Sequence, residues 1–216
     1  MNIRTATLAD VPALANIAVT AMPDDPQWDY RFPYRLKYPE EHLAAIQNVY
    51  RSAVEDEASA GTVVKVLCND KDEPMALSVW DLLYLGKASG GMANFAPNPN
   101  RPDASLVRMT AFLKAFQAAH DKYFDSVYGN KQIRLRVLCV HPDFRRRGAG
   151  EALCNWGFDL AKQEGVPVTI VASPMGKRLY ARLGCEVLGE YEIRADGEDE
   201  SCTEICMILR KELRAK

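Results

Sequence analysis

The chain has few of the features that mark membrane, secreted or metal-dependent proteins. None of its apolar runs reaches the roughly 18 residues that a membrane-spanning helix needs, and its first residues, Met-Asn-Ile-Arg-Thr, contain no hydrophobic signal core. It has only 3 histidines among 216 residues, and their wide separation offers no metal-ligand spacing. We therefore expect a cytoplasmic protein with no membrane partner and no bound metal.

A strong excess of charge of one sign is also missing. Lysine and arginine total 27 against 29 for aspartate and glutamate, which gives a net charge of −2. Because a nucleic-acid backbone favours a broad basic surface, we expect no nucleic-acid partner. The irregular cysteine spacing argues against a disulfide scaffold and indicates reduced core thiols in an intracellular protein. The cysteines are Cys68, Cys139, Cys154, Cys185, Cys202 and Cys206.

What is present suits one α/β domain over residues 1–216, with 48% hydrophobic residues. Hydrophobic periodicity predicts alternating strands and helices. The predicted strands cover residues 2–7, 62–68, 75–85, 131–140, 167–173, 187–193 and 202–209. Three helices are predicted over residues 40–59, 149–164 and 174–183. Two more are predicted to begin at Asp10 and Asp103.

Two segments are predicted as loops. Residues 23–39 combine four prolines with several aromatic residues, so we expect an ordered loop over the substrate side or a loop that packs its rings on the core. Residues 86–102 are rich in Gly, Asn and Pro, which favours a second loop.

The most informative segment is Val137–Gly150, with the sequence Val-Leu-Cys-Val-His-Pro-Asp-Phe-Arg-Arg-Arg-Gly-Ala-Gly. An apolar strand ends in a His-Pro-Asp turn, and a basic, glycine-containing loop leads into a helix. A helix N-terminus has N–H groups without intrahelical partners and carries a partial positive charge. Glycines let a phosphate approach these N–H groups closely, and arginines add full positive charge. This segment therefore predicts a cradle for a pyrophosphate. A P-loop would need Lys-Ser or Lys-Thr here, and a dinucleotide fingerprint would need a third glycine where Leu153 stands.

The pattern Arg145-Arg-Arg-Gly-Ala-Gly150, after Leu-Cys-Val-His-Pro, resembles the acetyl-CoA loop of the GNAT superfamily of N-acetyltransferases. Downstream, Pro167–Ser173 follows as the next strand, and Lys177-Arg-Leu-Tyr-Ala-Arg-Leu-Gly184 resembles the family's Leu-Tyr-x-x-x-Gly segment. The resemblance covers residues 133–189, with a weaker match at residues 3–10. It implies a GNAT fold, with a mixed, mostly antiparallel central sheet flanked by helices. A helix and a loop would be inserted before the acetyl-CoA-binding strand.

The resemblance also implies an activity, in which acetyl-CoA is the co-substrate and its acetyl group passes to a primary amine by direct attack in a ternary complex. The pantetheine arm would pair with Leu138, Cys139 and Val140, whose backbone would also supply an oxyanion donor. The phosphates would meet the loop formed by Arg145, Arg146, Arg147, Gly148, Ala149 and Gly150. Arg145 and Arg147 are the expected charge partners, and Arg146 is expected in solvent.

Tyr180 matches the family tyrosine near the CoA sulfur, and a phenol can donate a proton to a departing thiolate. Packing on the core is its alternative role. Ser173 stands where many relatives have an asparagine that contacts pantetheine, and it keeps a hydroxyl with a shorter reach. Cys139 has no evident neighbouring base and is expected to be a small core residue rather than a nucleophile.

No general base is evident, because Arg134 and Arg136 occupy the polar positions of the key strand where many relatives place a glutamate. Asp81, Glu192 and Glu204 are candidates, and a chain of waters is another.

The acceptor is expected to be a small-molecule amine or a peptide amine, with the extra aromatic loop and helix favouring a small molecule. Many relatives dimerise through terminal strands, so the resemblance leaves room for a homodimer. The competing interpretations are a catalytically silent CoA-binding sensor or interaction module of the same fold, and a nucleotide-binding domain.

Overall fold

A seven-stranded sheet organises the computed structural model, which describes residues 2–56, 61–86 and 97–210. The strand order is β1-β2-β3-β4-β5-β7-β6, and every neighbouring pair is antiparallel except β4 and β5. The mixed, mostly antiparallel sheet is therefore confirmed. The strands are β1 Asn2–Thr5, β2 Thr62–Cys68, β3 Pro74–Asp81, β4 Ile133–Val140, β5 Val168–Ala172, β6 Glu186–Arg194 and β7 Ser201–Leu209.

Helices cover both faces of this sheet. They are α1 Val11–Ala21, α2 Pro26–Arg31, α3 Pro39–Glu55, α4 Leu106–His120, α5 Ala149–Glu164 and α6 Pro174–Arg182. Helix α4 continues through a π-helical turn, Asp121–Asp125, before β4. In the described part of the chain, no helix is long and apolar enough to cross a membrane.

The sheet separates two apolar layers. Helices α1 and α3 pack on one face through residues such as Leu14, Ile46 and Leu77, and α2 and α4 extend this layer over β6 and β7. On the opposite face, α5 and α6 pack on residues such as Trp80 and Ile170. All six cysteines are buried thiols outside any disulfide, as predicted.

The segment over residues 23–39 differs from its prediction, because it contains helix α2. Asp25 is the N-cap of this helix and accepts a hydrogen bond from the Gln27 N–H at 3.3 Å, while Pro26 occupies the first turn, where a missing N–H costs nothing. Its aromatic residues Trp28 and Phe32 are buried, so the segment does pack its rings on the core.

The inserted helix is confirmed, but it begins at Leu106 with Ser105 as its N-cap, three residues after the predicted start. Asp103 is instead fully buried. It accepts a hydrogen bond from His42 at 2.7 Å and pairs with Arg101. Of the predicted loop over residues 86–102, the stretch 87–96 lies outside the described residues.

Candidate active site

The site begins where β4 and β5 separate. These strands pair in parallel over only three residue pairs, the last of which is Leu135 with Ile170. The register between β3 and β4 shifts at the same level, between Val79 and Trp80, so that Arg136 is the extra residue of a bulge. A strand edge without a neighbour presents backbone N–H and C=O groups that a ligand can pair with. The β5-facing edge of β4 from Arg136 to Val140 offers such groups.

A cavity of about 920 Å³ passes through this cleft, from the loop before α5 to helices α2 and α4. Its wall brings together all of the predicted site residues except Arg147. These are Leu138, Cys139, Val140, Arg145, Arg146, Gly148, Ala149, Gly150, Ser173 and Tyr180. Residues predicted from a contiguous motif and a separate downstream helix therefore share one cavity.

The loop before α5 has the geometry of an anion cradle. Gly148 is the N-cap of the helix with φ at 82°, a left-handed conformation that glycine adopts without steric cost. A Cβ on Gly150 would lie only 3.2 Å from the Leu179 side chain, so a glycine there lets α5 start close to α6. The first N–H groups of α5 and the positive end of its dipole thus lie at the cavity wall.

The three loop arginines differ in their contacts with the rest of the protein. Arg145 pairs with Asp24 and donates to the carbonyl oxygens of Ala21 at 3.2 Å and Val140 at 3.3 Å, which fastens the loop to the end of α1. The Arg147 guanidinium lies 5.7 Å from the centre of the Phe144 ring, away from the cavity wall. Arg146 is exposed, as expected, and it also lines the cavity, with φ at 62°. The geometry favours Arg146 as the phosphate partner.

Ser173 and Tyr180 lie at opposite ends of helix α6, Ser173 just before it and Tyr180 in its last turn. Ser173 is its N-cap and accepts a hydrogen bond from the Gly176 N–H at 3.1 Å, which leaves the hydroxyl hydrogen free to donate. Tyr180 is 6% exposed, on the α5–α6 side of the sheet. Burial raises the pKa of its phenol well above the usual value, so it remains a proton donor at neutral pH.

A second phenol lies on the other side of β4. Tyr50 of α3 is buried on the cavity wall, within hydrogen-bond reach of the Cys139 thiol. Burial raises the pKa of Cys139 to about 12, so it stays a thiol and is a poor nucleophile. No sequence pattern indicates a role for Tyr50, because it occupies an ordinary position in the apolar stripe of α3.

Of the three carboxylates considered as the base, only Glu204 lines the cavity. Asp81 is 1% exposed, accepts a hydrogen bond from Thr62 Oγ1 at 3.1 Å and lies 3.7 Å from Arg136 Nη1. Glu192 is exposed and pairs with Arg194. An acidic residue at an inward position of an otherwise apolar strand was the available sequence signal for Glu204.

Glu204 lies beside Asp25 and Arg31. Burial and then the charge of Asp25 raise the pKa of Glu204 to about 9, and burial also raises the pKa of Asp25. Burial lowers the pKa of Arg31 to about 10, although both carboxyl groups oppose that change. Two carboxyl groups and one guanidinium therefore meet in a region of low solvent access, where their charges interact strongly.

Aromatic side chains complete this end of the cavity. Trp28 and Phe32 come from α2 and its C-terminus, and Phe112 and Phe116 come from α4. The Arg101 guanidinium lies 4.9 Å from the centre of the Phe32 ring, and its pairing with Asp103 holds the segment before α4 in place. The segment over residues 23–39 thus lines the cavity as well as packing on the core.

Comparison with known proteins agrees with this architecture. Residues 112–198 match the family model of the acetyltransferase (GNAT) domain. An acetyltransferase of Stachybotrys chartarum is 26% identical over 211 residues, which cover 94% of this chain and 88% of that protein.

Solved structures with the same fold include two N-acetyltransferases. A Drosophila melanogaster polyamine N-acetyltransferase, which forms N-acetylagmatine, has a TM-score of 0.66 at 16% identity and is matched over 97% of this chain and 99% of its own. An N-acetyltransferase of Thermoplasma acidophilum, solved with coenzyme A, has a TM-score of 0.53 at 13% identity over 97% and 98% of the two chains. At these identities the likeness establishes the fold.

Proposed function

We propose that this chain, in which residues 112–198 match the acetyltransferase (GNAT) domain, transfers the acetyl group of acetyl-CoA to a primary amine of a small molecule, by direct attack in a ternary complex. The observation that carries the proposal is the continuous cavity. A phosphate cradle lies at one end, an open strand edge in the middle, and an aromatic wall with carboxyl groups at the other end.

The cradle and the cleft fit acetyl-CoA. Arg146 and the first N–H groups of α5 would hold the pyrophosphate, and the free edge of β4 would pair with the amide groups of pantetheine. A backbone N–H of this edge would then face the thioester carbonyl, where it can stabilise the developing oxyanion.

Direct attack is favoured over an acyl-enzyme. A covalent route needs an activated nucleophile, and the thiol of Cys139 has its pKa raised rather than lowered. Tyr180 keeps its proton at neutral pH and would protonate the CoA thiolate as the carbon–sulfur bond breaks.

The far end of the cavity supports a small amine with an apolar body. Trp28, Phe32 and Phe112 would pack on carbon atoms or on a cationic head, and the carboxyl groups of Asp25 and Glu204 suit an amine. The fold-related Drosophila enzyme forms N-acetylagmatine, which is an acetylated small amine.

A screen for thiol release from acetyl-CoA tests the proposal, with agmatine, putrescine, spermidine, 2-phenylethylamine and free amino acids as acceptors. We expect CoA release that depends on one or more of the amines and exceeds the hydrolysis measured without acceptor. Tight CoA binding without amine-dependent release from any acceptor would favour the silent CoA-binding module instead.

A further inference from the structure

We propose that Glu204, acting with Asp25, accepts the proton that the acceptor amine loses during acetyl transfer. The inference deepens the proposed function and rests on it. It assigns the base to β7, which lies between β5 and the edge strand β6, rather than to β4, where Arg134 and Arg136 occupy the polar positions.

The strand register brings Glu204 to the reacting region. Ile205 of β7 is paired with Ala172, the last residue of β5, so Glu204 lies at the level of Ser173, where the cleft between β4 and β5 is open. Ile205 points into the layer of α5 and α6, and Glu204 points to the other face, towards α2.

Tyr180 and Glu204 therefore reach the cavity from opposite faces of the sheet. Tyr180 belongs to the α5–α6 layer, whereas Glu204 and Asp25 lie on the face covered by α1 to α4. Asp25, Cys139 and Tyr180 all line the same cavity. An acetyl thioester in the cleft would have a proton donor on one side and a carboxyl pair on the other.

The surroundings of Glu204 suit a proton acceptor more than a structural ion pair. Its Oε1 atom is buried and has no hydrogen-bond partner among the described residues. The facing titratable and charged groups come from three elements. They are Asp25 and Arg31 before and within α2, Tyr191 on β6, and Cys202 and Cys206 on β7 itself.

The proton and electron balance is simple. The amine nitrogen attacks the thioester carbon, a C–N bond forms, and the collapse of the tetrahedral intermediate breaks the C–S bond. The carboxyl pair, with Glu204 in its ionised form, takes the extra proton of the amine, and Tyr180 protonates the departing thiolate. Proton exchange with water then restores both groups, and the net products are the acetamide and CoA.

The central variant is Glu204→Gln, which matches the protonated glutamate in shape and cannot accept the proton. We expect its turnover number to fall by about 10²- to 10⁴-fold, the range for loss of a general base, with acetyl-CoA affinity unchanged in calorimetry. Glu192→Gln makes the same change on the exposed face of the neighbouring strand and should keep wild-type turnover. Glu204→Asp, which retains a carboxyl group, should restore part of the lost turnover.

The pH profile separates chemistry from structure. Because the Glu204 pKa is raised to about 9, wild-type turnover should rise with pH towards 9, and Glu204→Gln should lose this limb while it keeps any limb from the amine itself. Turnover within about threefold of wild type in Glu204→Gln, with an unchanged profile, would overturn the assignment and leave the acetyltransferase proposal standing. A wild-type protein that acetylates no amine would overturn both.

The pH dependence of the free energy of unfolding, which needs no substrate, tests the raised pKa of Glu204 on which the expected pH profile of turnover depends. A pKa raised in the folded state means that the native protein holds a proton which the unfolded chain releases above about pH 4.5. The free energy of unfolding should therefore decline as pH rises from about 4.5 to 9, and this decline should be weaker in Glu204→Gln. Identical slopes in urea titrations of the two proteins would contradict the raised pKa.

Discussion

Arg146 gives the sharpest test of how the loop before α5 binds CoA. Arg145 and Arg146 both line the cavity, but Arg145 already donates to three oxygen atoms of the protein, and Arg147 lies over Phe144 outside the cavity lining. Replacement of Arg146 by alanine should therefore remove a charged contact to the phosphates. The same change at Arg147 should not.

The expected magnitude follows from the type of contact. A hydrogen bond to a charged group contributes about 1.5–3 kcal/mol, which corresponds to roughly a 10- to 150-fold rise in the Kd of acetyl-CoA. At Arg147 only a solvent-screened charge is lost, so we expect a rise of about threefold or less. At Arg145 the main effect should be on folding, because its removal leaves carbonyl oxygens of Ala21 and Val140 without their donor.

Isothermal titration of acetyl-CoA, CoA and dephospho-CoA measures these effects and locates the phosphate. An equal loss for all three ligands would assign Arg146 to the pyrophosphate, and a loss absent with dephospho-CoA would assign it to the 3′-phosphate. Since φ is 62° at this position, Arg146→Gly serves as a second variant that removes the charge without backbone strain. A larger loss at Arg147 than at Arg146 in this series would refute the reasoning.

Three further predictions concern the loop, the proton donor and the packing beneath the site. Gly148→Asp should abolish measurable acetyl-CoA binding in calorimetry, because it puts a negative charge at the N-cap of α5 and a side chain where φ is 82°; unchanged affinity would remove this loop from the site. Tyr180→Phe should lower turnover by about 10²-fold with little change in acetyl-CoA affinity. Tyr50→Phe, the control, should keep wild-type turnover. Wild-type turnover in Tyr180→Phe would exclude the Tyr180 phenol as the acid. Gly157→Ala should destabilise the fold by about 1–3 kcal/mol in urea titrations, because the added Cβ would lie 2.3 Å from the Trp80 ring. A gain in stability, as for an unhindered helix position, would contradict this packing.

The part of the site that could be predicted is contiguous in sequence. The strand, loop and helix start around Gly148 and Gly150 follow from local rules for glycine and helix termini, and Tyr180 came from a second short segment. The structure brings these residues to one cavity because β5, between the two segments, leads the chain back beside β4.

The part of the site that could not be predicted from the sequence depends on contacts between distant segments and on turn conformation. Asp25 and Glu204 meet because α2 packs on β7, a contact that no local pattern encodes. Likewise, the positive φ of Arg146 and the contacts of Arg145 with Ala21 and Asp24 cannot be inferred from the composition of the loop. Helix α2 could have been predicted, since Asp25-Pro26 is a typical N-cap and first-turn pair, but the proline count of the segment favoured a loop.

The central claim is that one cavity holds acetyl-CoA and an amine together while the acetyl group passes directly between them. Initial rates measured over a grid of acetyl-CoA and amine concentrations, with the acetylated product quantified by mass spectrometry, test it most directly. We predict intersecting reciprocal plots and one acetamide formed for each CoA released. Parallel plots with an acetylated protein trapped in the absence of amine would contradict the claim, because they would mean that the acetyl group first passes to the enzyme.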